Sequence, residues 1–85
     1  MDLNDSRAEI DRIDAGLVEL LKKRFKWARE IGMEKSLRQM EIEDRLRDKE
    51  VLKNYKRLAE DELDEGFIEE LVELILRYSK EVQRK

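Results

Sequence analysis

From about Ser6 to Lys35 the chain reads as one helix, and a compact fold of 85 residues has no room for it. Ser6 and Glu9 in "NDSRAE" have the spacing of a capping box, which marks a helix start. Leu17, Leu20, Leu21, Trp27, Ala28 and Ile31 then recur at helical period. Only Gly16 and Gly32 weaken the run, and glycine is a poor helix former rather than a stop. About 30 residues at a rise of 1.5 Å make a rod of roughly 45 Å. A compact chain of this size has a radius of gyration near 12 Å, so it is only about 30 Å across. The rod must protrude with its apolar stripe in water unless a second chain lies along it. The expectation is an all-α fold of three helices per chain, one long, one short and one medium, in an intertwined helical-bundle homodimer.

The other two helices follow from shorter signals. "SLRQMEIE" reads as a connection, and a second helix runs from near Asp44 to about Ala59. "EDELDEG" is a turn with Asp64 as N-cap, and the third helix continues from about Glu65 to the C-terminus. No repeat or low-complexity linker divides the chain, so residues 1–85 are expected to be a single domain.

Composition narrows the function classes. Charged residues make up 48% of the chain, yet 19 basic against 22 acidic side chains leave a net charge of -3 and no basic field for nucleic acid. No apolar run is long enough for a bilayer and no signal-peptide pattern opens the chain, so a cytoplasmic protein with no membrane partner is expected. Cysteine and histidine are both absent, which removes thiolate chemistry, the commonest general base and the commonest metal ligand. No metal and no cofactor is expected. Proline and threonine are absent too, and the combination points to a designed or simplified sequence.

The informative residues are polar ones on faces that should be buried. On the first helix Arg24 and Lys35 fall beside Leu17 and Ala28, in the middle of the apolar stripe, and Arg7 borders it near the start. On the second, Asp44, Arg47 and Asp48 share the face of Val51, Leu52, Tyr55, Leu58 and Ala59, whereas Leu46 points away. On the third, Phe67, Leu71, Ile75, Tyr78 and Val82 form the expected buried stripe, with Ser79 and Gln83 at its border. Each has an ordinary reading. Arg24 and Lys35 can lay their stems on apolar surface and carry their heads to water. Asp44 can be a helix cap, Arg47 and Asp48 a solvated pair, and Ser79 and Gln83 surface residues near a fraying end. Taken together they have a second reading, because buried charges need partners. Three helices would then surround a polar pocket suited to a small dianion carrying hydroxyl or ether oxygens.

From about Arg7 to Gln83 the chain resembles the all-helical chorismate mutases. The resemblance rests on Arg7, on "KKRFKWAREIGMEK" with Arg24, Gly32 and Lys35, on "DRLRD" with Asp44, Arg47 and Asp48, and on "LDEGFIEELVELILRYSKEVQ" with Ser79 and Gln83. It implies rearrangement of chorismate to prephenate, on the way to phenylalanine and tyrosine, at two equivalent sites of a homodimer. By analogy Arg24 and the second copy's Arg7 hold the two carboxylates. Lys35 binds a carboxylate and the ether oxygen, and Gln83 binds the ether oxygen from the other side. Asp48 and the backbone near Asp44 take the ring hydroxyl, and Arg47 and Ser79 complete the wall. The family usually carries glutamate where this chain has Asp48, one methylene shorter. It also commonly has a proline in the connection that this chain lacks.

Such a reaction suits a chain with no histidine or cysteine. A pericyclic rearrangement needs the substrate held in its compact diaxial form and donors aimed at the oxygen that gains charge. Two other readings stay open at this level: isochorismate pyruvate lyase, which shares the fold and much of the pocket, and a non-catalytic helical dimer module.

Overall fold

A computed structural model describes residues 2–85. It contains α1 (Leu3–Leu37), α2 (Arg45–Ala59) and α3 (Glu65–Gln83) and no strand among the described residues. The 35 residues of α1 come to about 52 Å at helical rise, nearly the whole 55 Å length of the molecule. The radius of gyration is 16.0 Å, well above the roughly 12 Å of a compact chain this long.

Each boundary has a local cause. α1 begins earlier than the Ser6–Glu9 pattern predicts. Asp2 is the cap, accepting the Asp5 N–H at 2.8 Å, and Ser6 lies inside the helix with its N–H donating to the Asp2 carbonyl. An aspartate three residues before a free N–H does the same work as the serine, one turn sooner. α1 ends in a Schellman arrangement: Met40 N–H donates to the Lys35 carbonyl at 2.8 Å and Gln39 N–H to the Ser36 carbonyl at 3.2 Å. Gln39 takes the left-handed position there with φ 56°, a place usually given to glycine. α2 and α3 start as expected. Asp44 accepts from Arg47 N–H at 3.0 Å and Asp64 from Phe67 N–H at 2.9 Å.

α3 is the centre of the fold. α1 and α2 each pack against it and make no close backbone approach to one another. On the α2 side Val51, Ile68 and Val72 are buried, with Leu52, Tyr55, Ala59 and Leu76 packed around them. On the α1 side Phe25 meets Tyr78 edge-on at 4.6 Å, and Ala28 and Gly32 are buried. Gly32 sits where the two backbones touch. A Cβ there would lie 2.6 Å from both the Cα and the carbonyl oxygen of Gln83.

The buried arc of α3 differs from the expected stripe. It comprises Ile68, Val72, Ile75, Ser79 and Val82, while Phe67 is 51% and Tyr78 42% exposed and Leu71 is half-buried. The arc lies between two helices, so it includes the polar Ser79 and is turned away from the Phe67–Leu71–Tyr78 row. Leu58 of α2 is exposed as well, against expectation, at the edge of the face whose packed members are Val51, Leu52, Tyr55 and Ala59; Leu46 is exposed as expected. From Leu3 to Leu20 every residue of α1 except Ser6 is exposed. Ile10, Ile13, Leu17 and Leu20 stand exposed along it, and Trp27 and Ile31 continue the row. Their alternating spacing of three and four is that of a helix–helix seam.

Candidate active site

The gap that α1 and α2 leave between them over the C-terminal half of α3 is a cavity of about 470 Å³. That is enough for a small molecule. Of the eight site residues read from the sequence, seven line it: Arg24, Lys35, Asp44, Arg47, Asp48, Ser79 and Gln83. The apolar wall comes from Trp27, Ala28, Ile31, Ile42, Val51 and Leu76. Arg7 is elsewhere. It is exposed on α1, 17 residues or about 25 Å along the axis from Arg24, and does not line the cavity.

Arg24 is held rather than merely snorkelling. Its Nη1 donates to Ser79 Oγ at 2.7 Å, and that hydroxyl donates in turn to the Ile75 carbonyl at 2.8 Å. Ser79 is thus a buried polar group with its proton committed to backbone and its lone pair to the guanidinium. The chain fixes one nitrogen of Arg24 and leaves the rest of the fork for a ligand. Lys35, about three turns further along the same face of α1, donates to the Ile42 carbonyl at 3.0 Å and so ties the end of α1 to the connection before α2. An ammonium has three N–H groups, and this bond uses one.

The acidic residues divide their tasks. Asp44 is the cap of α2 as well as part of the cavity wall, so its carboxylate is largely spent on backbone. Arg47 and Asp48 are not paired with each other. Arg47 reaches out to Glu50 at 3.2 Å in an exposed pair. Asp48 Oδ2 accepts from Lys80 Nζ at 2.7 Å, and the same ammonium meets Glu43 at 2.7 Å. Both hydrogen bonds, Asp48 first, raise the Lys80 pKa above the ordinary lysine value. The Lys80 bond in turn lowers the pKa of Glu43.

Lys80 is the site residue that sequence reading missed. Its signal was present: it stands three residues before Gln83 and four after Leu76, hence on the cavity side of α3. An inward Asp48 also required a cation from a neighbouring helix.

Gln83 carries the most direct mark of a ligand. Its Oε1 is buried with no hydrogen-bond partner among the described residues. Folded proteins rarely leave a buried amide oxygen so. The amide reads equally well turned about, and Nε2 then occupies the same place as a donor. Either way one polar atom of Gln83 awaits a partner that the chain does not supply.

The cavity therefore has four cationic side chains, Arg24, Lys35, Arg47 and Lys80, against Asp44 and Asp48. It has no histidine or cysteine to act as base or nucleophile. Among the described residues no group of acidic side chains has metal-holding geometry. Its chemical capacity is to bind an anion, fix its shape and stabilise negative charge as it develops.

A family model described as chorismate mutase type II matches residues 6–84. No curated protein and no solved structure matches the chain.

Proposed function

The chain belongs to the chorismate mutase type II family, and from that premise we propose that its cavity converts chorismate to prephenate. The observation that carries this reading is the convergence of Arg24, Lys35, Asp48 and Gln83, from three helices, on one cavity with an unpartnered amide. In the rearrangement one C–O bond breaks and one C–C bond forms within a single molecule. No proton, electron or leaving group is transferred, so no base or cofactor is needed.

Arg24, steadied by Ser79, holds one substrate carboxylate. Lys35 turns a free N–H toward a carboxylate and the ether oxygen, and Gln83 donates to that oxygen from the opposite side. Negative charge grows there as the C–O bond lengthens, so these two bonds strengthen in the transition state and lower the barrier. Asp48 accepts from the ring hydroxyl, beside the backbone at Asp44. Arg47 closes the edge of the cavity. The walls hold the substrate in the compact conformer in which its reacting carbons meet.

The second carboxylate takes Arg7 of the partner subunit. The exposed row Ile10, Ile13, Leu17 and Leu20 supports a homodimer built along α1, and a second copy is what brings an Arg7 toward Arg24. On this reading the enzyme is an isomerase; no described helix is long and apolar enough to cross a membrane.

The test is a spectrophotometric assay of chorismate loss with prephenate identified as product, and isochorismate offered in parallel. Turnover of chorismate that falls about 100-fold or more in Lys35→Ala is the expected result. Release of pyruvate from isochorismate without prephenate formation would make the protein a lyase instead. No turnover of either would leave a binding module.

A further inference from the structure

Asp48 is a short carboxylate in the first turn of α2, and α2 makes no close backbone approach to α1. Its own buried packing, through Val51, Leu52, Tyr55 and Ala59 against α3, begins past Asp48. Toward the cavity, the connection before α2 is tied to α1 through Lys35 and the Ile42 carbonyl. From the α3 side one ammonium does the fastening. Lys80 Nζ lies 2.7 Å from Glu43 in the connection and 2.7 Å from Asp48 in the helix. Its side chain is only 19% exposed and that of Asp48 25%, so this pair is shielded in a way the surface pairs of α1 are not.

We propose that Lys80 is a positioning residue which holds the Asp48 carboxylate for the substrate's ring hydroxyl, an inference that rests on the chorismate reading above. The contact runs through Oδ2, which leaves Oδ1 for the hydroxyl proton. An ammonium between two carboxylates is a tight junction, since each bond is charge-assisted at both ends. It fixes the rotamer of Asp48 and the height of the α2 N-terminus over the cavity at once. The bound proton is held firmly: both carboxylates raise the Lys80 pKa, so the clamp is charged throughout the neutral range. The other charges lining cavities with Asp48 are Arg24 and Lys35 of α1, Asp44, Arg47 and Lys49 at the start of α2, Glu69, Glu73, Arg77 and Glu81 of α3, and Arg84 just past its end. None of them makes a salt bridge to it among the described residues.

Lys80 thereby gives the cavity a selectivity that the wall alone lacks. A site that presents a fixed acceptor rejects the analogue without the matching hydroxyl, because the acceptor is then left unpaired. Freed of Lys80, the carboxylate swings toward water and the distinction fades.

The experiment compares the full chain with Lys80→Met, Lys80→Gln and Lys80→Arg on two compounds. These are chorismate and its analogue with hydrogen in place of the ring hydroxyl, the latter as substrate or as competitive inhibitor. Helical content is checked by circular dichroism, and Lys80→Gln serves if the methionine variant does not fold. Lys80→Met or Lys80→Gln should lower kcat/KM for chorismate about tenfold. The same change should leave the constant for the deoxy analogue no lower than in the parent, since that compound never uses Asp48 and no longer meets a fixed unpaired acceptor. Lys80→Arg should recover most of the loss. An equal loss on both compounds would overturn the proposal and make Lys80 a fastening of the fold only. No loss on chorismate would overturn it also. If the unaltered chain acts on neither compound, the chorismate reading itself is wrong, and the role of Lys80 falls with it.

Discussion

Gly32→Ala should damage both stability and activity, although alanine is the better helix former. The added methyl would stand 2.6 Å from the Gln83 Cα and carbonyl oxygen and 2.9 Å from its Cβ. Ordinary contact needs about 3.4 Å, and backbone atoms cannot rotate aside, so α1 and α3 must part by close to 1 Å. Overpacking of this kind costs about 1–3 kcal/mol, toward the upper end where backbone rather than side chain is struck. The gain from replacing a mid-helix glycine offsets about 1 kcal/mol of that. The net is about 2 kcal/mol, or roughly 10 °C in Tm for a chain of this size. Activity should fall about 100-fold in the same variant, because the displaced residue is Gln83 itself. The reference is Gly16→Ala, where an added Cβ meets nothing within 4 Å in the chain. That change should raise Tm by about 5 °C. Thermal melts followed by circular dichroism at one fixed protein concentration, with chorismate assays alongside, measure both. A Gly32→Ala protein that melts at or above the parent temperature and keeps its rate would refute the close crossing at Gly32.

Three further outcomes are expected. Gln39→Gly should raise stability by about 1 kcal/mol in urea titrations, because Gln39 occupies a left-handed position at φ 56° where a side chain is strained. Mixing an Arg7→Ala chain with an Arg24→Ala chain should restore one intact site per heterodimer, and a verified heterodimer with no activity would contradict the shared site. Lys80 binds its proton more tightly folded than unfolded, so its stabilising contribution is complete below the unfolded lysine value and disappears as pH rises through the folded one. Urea midpoints should therefore fall more between about pH 9 and pH 11.5 for the parent than for Lys80→Met, since ordinary lysine titrates near 10.4.

Much of this site was legible because its residues break the binary pattern. Arg24, Lys35 and Asp48 are polar on faces that carry the apolar residues, Ser79 and Gln83 border the α3 stripe, and all five line one cavity. Asp44 and Asp64 were legible as caps for a different reason: an aspartate before a helix is nearly self-explanatory. The end of α1 was harder to read, since Gln39 performs the task that glycine usually advertises. The start was misplaced by a turn because Ser6–Glu9 and Asp2–Asp5 offer competing caps, and only the fold shows which is used. Of the expected α3 stripe, Ile75 and Val82 are buried while Phe67, Leu71 and Tyr78 lie on a neighbouring row, since the apolar arc is wide enough for two rows. Which row is covered depends on where α1 and α2 land, and that is long-range information. Lys80 escaped notice for the same reason: one more lysine in a chain that is nearly half charged stands out only when Glu43 and Asp48 are seen around it. The close approach at Gly32 is equally invisible in sequence, where that glycine resembles the unconfined Gly16.

The central claim is that catalysis here consists of stabilising charge on the ether oxygen, with Gln83 as one of its two donors. Gln83→Glu tests it through the pH dependence of kcat/KM for chorismate. A carboxylic acid donates to the oxygen as the amide does, whereas a carboxylate repels the developing charge. The parent chain has no histidine to titrate near neutrality, so its profile should be nearly flat between about pH 5.5 and 8. The variant should be active in acid and lose about tenfold per pH unit as the new carboxyl ionises, with a midpoint above the ordinary glutamate value of about 4.3 if it is buried. A Gln83→Glu protein with the flat profile of the parent would place the ether oxygen away from residue 83 and contradict the account.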